Sequence, residues 1–277
     1  MEPFKYRDTS PIPCFFLERW EKEFPHLVVG FSARRKDEDL NQRNYAFHVG
    51  DRPDMVVENR KQLLDQVGMS IESWTCGEQV HGIDLQLVTS TDRGKGNFTR
   101  DTAFSDTDGL ITKEENVLLA SYYADCVPLY FYSPDLDLIG VAHAGWKGTV
   151  QGMAVRMVRK LEELGADPKT LHVAIGPSID QCCYEVDERV MNAVHQALPD
   201  DIQAHQEVLI STKQGKWQLD LRKTNVKLLQ RVGVLERNIL VTTWCTSCDQ
   251  DYFYSHRRDQ GRTGRMVAFI GKKERGS

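Results

Sequence analysis

Apolar positions recur at helical spacing in four stretches of the chain. Met55, Val56, Leu63, Leu64 and Val67 fall on one side of a helix that Asp51 and Pro53 open and Gly68 closes. Val150, Met153, Ala154, Met157, Val158, Leu161 and Leu164 repeat the pattern up to Gly165. Asp187 is placed to cap a third helix through Val190, Val194 and Leu198 that ends at Pro199, and a fourth is predicted from Leu221 to Arg231. Between them lie short β-branched or aromatic runs: 28–31, 85–88, 117–123, 129–132, 138–142, 171–175, 239–243 and 266–270. The three runs between 117 and 142 follow one another with no helix between them. A uniform βαβ alternation is therefore absent, and a mixed sheet or a pair of sheets with helices outside is predicted. The charged stretch 34–43 and the Thr-, Asp- and Gly-rich stretch 89–108 read as loops. Apolar segments resume directly beyond both, so one domain is expected across 1–277.

Composition narrows the class. The chain has 277 residues, 40% hydrophobic and 27% charged, enough to bury a core without disulfide staples. Thirty-five Lys and Arg against 40 Asp and Glu leave a formal charge of -5, which argues against a nucleic-acid-coating or membrane-surface protein. The start of the chain, with Pro11 and Pro13, lacks an apolar run of signal-peptide length, and the richest apolar region, 117–132, is broken by Asp125 and Pro128. Seven scattered cysteines, an odd number, fit reduced thiols. A soluble cytoplasmic α/β protein is expected, with no nucleic-acid, membrane or protein partner.

Three places set a reactive side chain at the end of an apolar run beside Gly or Pro: Glu78-Gln79-Val80-His81-Gly82, Tyr123-Ala124-Asp125-Cys126-Val127-Pro128 and Gly140-Val141-Ala142-His143-Ala144-Gly145-Trp146. Two imidazoles and a thiolate are ligands zinc prefers, and three protein ligands with an open fourth position is the catalytic pattern. Copper is the alternative, since ligand type does not separate the two metals. Taken singly, each residue has a plainer reading: a hydrogen-bonded rim histidine, or a small buried hydrophobe. The three lie 45 and 17 residues apart, which matches no short metal motif. The same residues also suit a Cys-His hydrolase in which Cys126 attacks, a histidine is the base, and Asp125 or Gln79 orients it.

Other motifs carry less. Trp244-Cys245-Thr246-Ser247-Cys248 looks like a C-x-x-C redox pair, but no helical pattern follows to lower a thiol pKa, and no second C-x-x-C completes a zinc site. Cys182-Cys183 reads as structural or incidental. Arg257, Arg258 and Arg265 among glycines could bind phosphate bidentately or simply face solvent; Arg34, Arg35 and Arg60 are further anion candidates. Asp106-Thr107-Asp108-Gly109 lacks the remaining ligands of a calcium loop and reads as a turn.

The ordered runs GEQVHG, DTDGLIT…ASYYADCVPLYFY, IGVAHAGWKGT, AIGPSIDQCCYEV and WCTSCDQDYFYSHRRDQGRTGR together resemble the laccase-domain family, over roughly Gly30 to Gly271. That family has been described as multicopper polyphenol oxidase, as peptidoglycan editing factor, and as purine nucleoside phosphorylase with adenosine deaminase activity. The resemblance implies an α+β fold in a four-layer α/β/β/α sandwich. It also implies a metal, zinc or alternatively copper, on His81, Cys126 and His143. The activity it implies is phosphorolysis of purine nucleosides, with phosphate as co-substrate and zinc-dependent deamination of adenosine beside it. Within that frame Asp125 is a candidate proton shuttle, and Arg60, Arg257 and Arg258 are candidate substrate or phosphate contacts. The segment following Arg34 departs from the family in lacking a Gly-Gly. A muropeptide-cleaving Cys hydrolase and a copper phenol oxidase remain as alternatives.

Overall fold

Strands that are apolar throughout, without alternation, must be covered on both faces, and this chain covers them by stacking two sheets. The computed structural model describes residues 2–8, 12–36, 42–50, 52–199 and 202–274. Asp51, Pro11 and residues 37–41 of the charged loop lie outside these. The first sheet runs, edge to edge, through Phe4–Arg7, Cys14–Leu17, Leu27–Ser32, Met266–Lys272, Leu118–Tyr123 and Trp74–Cys76; the last pair is parallel and the others antiparallel. The second runs through Ile239–Val241, His172–Ile175, Val127–Ser133, Leu138–Ala144, Gly109–Thr112 and Leu85–Val88, parallel at its two edges and antiparallel inside.

Between the sheets lies an aromatic core that includes Phe15, Phe31, Tyr123, Tyr130 and Phe253. Two tyrosines stitch the layers: Tyr130 donates to Gly30 O at 2.8 Å and Tyr123 to Ala142 O at 3.0 Å. The outer face of the first sheet is covered by the helix Pro53–Val67, through Leu63, Leu64 and Val67. The outer face of the second is covered by Met153–Glu163, Glu188–Ala197 and Leu221–Arg231. The result is helix, sheet, sheet, helices: the α+β, four-layer arrangement with mixed sheets.

The four predicted helices are present. Gly68 ends the first in a left-handed conformation, φ 72°. Asp187 caps the third by accepting from Val190 N. The second is broken at Gly152, φ 88°, into Trp146–Val150 and Met153–Glu163. All eight predicted strands occur, with Val127–Ser133 running through Pro128. Unpredicted elements are short: the inner strands Cys14–Leu17 and Gly109–Thr112, the edge strands Phe4–Arg7 and Trp74–Cys76, the helices Glu18–Glu23 and Ile202–Val208, and a small sheet of Glu185–Asp187, Lys216–Leu219 and Leu209–Lys213. Among the described residues, no helix is long and apolar enough to cross a membrane.

Arg60 belongs to this scaffold, which corrects its reading as a phosphate contact. Its Nε and Nη2 donate to Tyr45 O, Nη1 to Gly96 O and Asn97 O, and Nη2 also to Tyr122 Oη. Those bonds match the five donors of a guanidinium, and the group is 1% exposed among the rings of Phe47, Trp74 and Tyr122. No donor is left for an anion. Arg60→Met strands several buried acceptors and removes three cation–π contacts, so it should lower unfolding free energy by about 3–5 kcal/mol in urea titration. A stable variant with a raised KM for phosphate would restore the binding role.

Candidate active site

The site forms where the chain crosses from one sheet to the other. Tyr123 ends a strand of the first sheet and Val127 begins one of the second, leaving Ala124, Asp125 and Cys126 to make the crossing. Asp125 adopts φ 92°, unusual for a residue with a Cβ, and neighbouring bonds hold it there. Its Oδ1 accepts from Thr246 Oγ1 at 2.7 Å, its Oδ2 from Arg257 N at 2.7 Å, and its carbonyl from Ile179 N at 2.9 Å. Asp125 thus fixes the crossing beside Cys126 and seats the Arg257 backbone. Each carboxylate oxygen accepts one of these bonds, which gives Asp125 a positioning role; it also lines the cavity that opens over Cys126, so its reading as a proton shuttle stands beside that role.

His143 comes from near the end of Leu138–Ala144, and His81 from the loop after Trp74–Cys76, at φ 62°. The His81, Cys126 and His143 donor atoms all lie within 4.8 Å of one another. The two imidazole rings are 4.7 Å apart and nearly perpendicular. Cys126 is half-buried, His143 buried and His81 exposed.

The residue that assembles them is Asp108, which the sequence reading left in a turn. Its Oδ1 accepts from His143 Nδ1 at 2.8 Å and from His81 N at 3.1 Å; its Oδ2 accepts from Val80 N at 3.0 Å and Gly82 N at 2.9 Å. His143 N in turn donates to Asp108 O at 2.7 Å. One carboxylate therefore orients one imidazole and shapes the loop that carries the other. Gln79 pins that loop from the far side, its side chain accepting from Tyr122 N and donating to Tyr122 O. This leaves it no role in orienting a histidine.

The electrostatics follow. Burial pushes the Asp108 carboxyl up, but the His143 hydrogen bond and charge and the loop amides outweigh it and hold it below its ordinary value. Burial also raises the Cys126 thiol, yet His143 and His81 bring it down to about 6. Burial alone would lower His143, whereas Cys126 and Asp108 lift it to about 9. Each of the pair thus favours the charged form of the other.

The residues fit a metal. The donor set is soft-to-borderline, the thiol readily ionises, and His143 has the carboxylate partner that histidine ligands usually have. Backbone crowding supports the same reading: a Cβ at Gly145 would stand 2.9 Å from Cys126 Sγ and 3.1 Å from His81 Cδ2. Among the described residues no other group of three donors close enough for one ion includes a histidine.

A cavity of about 430 Å³ opens over these donors, with Trp146, Tyr184, Lys147, Arg257 and Arg265 on its walls. Arg257 packs its guanidinium 4.9 Å from the Tyr184 ring and donates from Nη1 to Glu185 O. Arg265 holds its position through Thr263 O and Gly264 O. Arg258 turns away: Nε and Nη2 bind Asp259, Nη1 binds Thr246 O and Ser247 O, and Nη2 also binds Phe253 O. All its donors brace the loop, which corrects its reading as a phosphate contact. Arg34 donates to Gln250 O and Arg35 pairs with Asp8, both away from the cavity walls.

Comparison with known proteins identifies the family. The chain is 43% identical over 278 aligned positions to the purine nucleoside phosphorylase YlmD of Bacillus subtilis (strain 168), covering 98% of each. It is 45% identical over 257 positions to the purine nucleoside phosphorylase YlmD of Geobacillus stearothermophilus, covering 91% of this chain and 92% of that one. The crystal structure of Geobacillus stearothermophilus YlmD superposes with a TM-score of 0.90 at 40% identity, covering 99% of this chain and 100% of that one. A Bacillus licheniformis hypothetical protein, YfiH, superposes at 0.89 with 37% identity, covering 97% and 99%. Residues 29–273 match the family described as Multi-copper polyphenol oxidoreductase laccase, and on this match and these relatives the chain belongs to that family.

Proposed function

We propose that this chain is a purine nucleoside phosphorylase whose His81, Cys126 and His143 hold one zinc ion, and that the same site deaminates adenosine. The observation that carries the reading is the convergence of three metal-type donors on the floor of a cavity whose walls bear Lys147, Arg257 and Arg265. The relatives named as purine nucleoside phosphorylases, the two YlmD proteins among them, support the substrate class.

Phosphorolysis replaces the N-glycosidic bond at C1′ with a bond to a phosphate oxygen, through a transition state of oxocarbenium character. The enzyme must seat a dianion beside the sugar and accommodate charge on the departing purine. Arg257 and Arg265 are placed to bind phosphate as charged forks, with Lys147 as a mobile third cation. Trp146 and Tyr184 offer aromatic faces to a base. When bound, zinc supplies Lewis acidity and brings the pKa of a water ligand near 7, the chemistry that deamination requires. Copper is the alternative metal on the same donors.

The test is a panel of nucleosides with and without phosphate, with products separated by chromatography. Phosphate-dependent release of free base is expected, together with inosine formed from adenosine. Turnover indifferent to phosphate would exclude phosphorolysis. Arg257→Ala should raise the KM for phosphate ~10–100-fold, the loss of one charge-assisted contact, with a smaller change in kcat. An unchanged KM would remove Arg257 from the phosphate site.

One observation favours a second reading. Cys126, His143 and Asp108 form the nucleophile, base and orienting carboxylate of a cysteine hydrolase, which could act on a muropeptide amide. His81, a second imidazole on the same thiol, has no task in that chemistry and a clear one in metal binding. A copper phenol oxidase drawing on several copper atoms has only one histidine-containing donor group to work with among the described residues.

A further inference from the structure

The cysteines set aside in the sequence come together in space. Cys182 and Cys183 lie on the turn Gln181–Cys183, and Cys245 and Cys248 on the loop after Ile239–Val241. Their four sulfurs all lie within 4.8 Å of one another. Individual separations are 3.6 Å for 182–183, 3.9 Å for 182–245, 3.5 Å for 182–248 and 3.3 Å for 183–248. A tetrahedron of sulfurs around zinc, with zinc–sulfur bonds of ~2.3 Å, has edges of ~3.8 Å. One observed edge lies just above that value and three lie somewhat below it, far nearer to it than to a disulfide bond. A disulfide needs ~2.05 Å and would pair the sulfurs off, whereas here Cys182 stands at similar distances from all three others.

The surroundings are built around this cluster. Asp180 N–H points at Cys245 Sγ, 3.4 Å away, as backbone amides do at thiolate sites. Arg222 bridges the two loops, pairing with Asp180 on one and donating to Thr242 O and Trp244 O on the other. Arg258 braces the 245–248 turn through Thr246 O and Ser247 O. No helix begins after Cys248, so the C-x-x-C lacks the helix N-terminus that activates a redox thiol.

We propose that Cys182, Cys183, Cys245 and Cys248 bind a second zinc ion as a closed four-thiolate structural site. Binding exchanges four thiol protons for one Zn²⁺, with no change in oxidation state. All four positions are filled by protein, so the site has no open position for catalysis. Its effect is to clamp two loops that both reach the crossing at Asp125: Ile179 N bonds Asp125 O, and Thr246 Oγ1 bonds Asp125 Oδ1. The second ion thereby steadies the wall of the cavity without touching it.

The test counts metal and needs no activity. Cys126→Ala, which leaves both loops intact, is purified under reducing conditions, supplied with zinc, desalted and assayed by elemental analysis and zinc X-ray absorption. One zinc per chain in a shell of four sulfurs at ~2.3 Å is expected, against two per chain in the wild type. Cys182→Ser/Cys248→Ser should lose one zinc and unfold at a lower temperature. The proposal is overturned if Cys126→Ala holds no zinc, if its zinc sits in a nitrogen and oxygen shell, or if mass spectrometry shows these cysteines as disulfides.

Discussion

Cys126→Ala and His143→Ala should each release no detectable hypoxanthine from inosine while keeping the wild-type circular dichroism spectrum. Each removes one of three donors that lie within 4.8 Å of one another. Losing an ion held there would forfeit several kcal/mol of transition-state stabilisation, a fall on the order of 10³-fold. The fold should survive, because the sheets are tied by Tyr123, Tyr130 and the aromatic core around them, to which Cys126 and His143 add only a thiol contact and one ring contact with Tyr123. Zinc content should fall by one per chain in both variants. His143→Ala also leaves the buried Asp108 carboxylate without its imidazole partner, so it should be the less stable of the two. Wild-type turnover in either variant would remove these residues from the site.

The second large effect is expected at Asp108, which touches no substrate. Its oxygens accept four hydrogen bonds, two on each side. Asn offers one acceptor and one donor. Whichever way the amide turns, an N–H faces other N–H groups, either those of Val80 and Gly82 or those of His81 and His143. The loop carrying His81 at φ 62° must shift, or the His143 ring must turn. Asp108→Asn should therefore lose ~10–100-fold in zinc affinity, measured by chelator competition, and a similar factor in kcat. A merely structural role would lower the melting temperature and leave zinc affinity untouched. Zinc affinity equal to wild type would show that Asp108 does not position the ligands.

Part of this site could be read from the chain and part could not, for physical reasons. His81, Cys126 and His143 stood out because each ends an apolar run beside Gly or Pro, a local signal. Their convergence was not local: it depends on a three-residue crossing between two sheets, and it was the ordered family motifs that joined them. Asp108 lay inside an ordinary Asp-Thr-Asp-Gly turn, and nothing in that tetrapeptide says that its carboxylate faces three amides 26–28 positions earlier. The arginines show the same limit. Arg60, Arg257 and Arg258 are alike as letters, yet Arg60 and Arg258 use every donor on nearby acceptors and Arg257 reaches the cavity. For the fold, the long amphipathic helices and most of the apolar strands were legible. The four-residue inner strands Cys14–Leu17 and Gly109–Thr112 were not legible, although both are buried throughout. Three-residue edge strands such as Trp74–Cys76 and Glu185–Asp187 were not legible either, because their pairing comes from neighbours rather than from propensity.

The cysteines carried a signal that one-dimensional spacing hides. A vicinal pair and a C-x-x-C over sixty residues away match no zinc pattern, yet two short loops lay all four sulfurs together.

The central claim is that phosphorolysis depends on the ion held by His81, Cys126 and His143. Its most direct test follows hypoxanthine and ribose-1-phosphate formation from inosine and phosphate before chelation, after exhaustive chelation, and after zinc is restored. Equal amounts of both products should form in the first state, almost none in the second, and the original rate should return in the third. Undiminished turnover after complete removal of metal would contradict the account and favour Cys126 as a nucleophile.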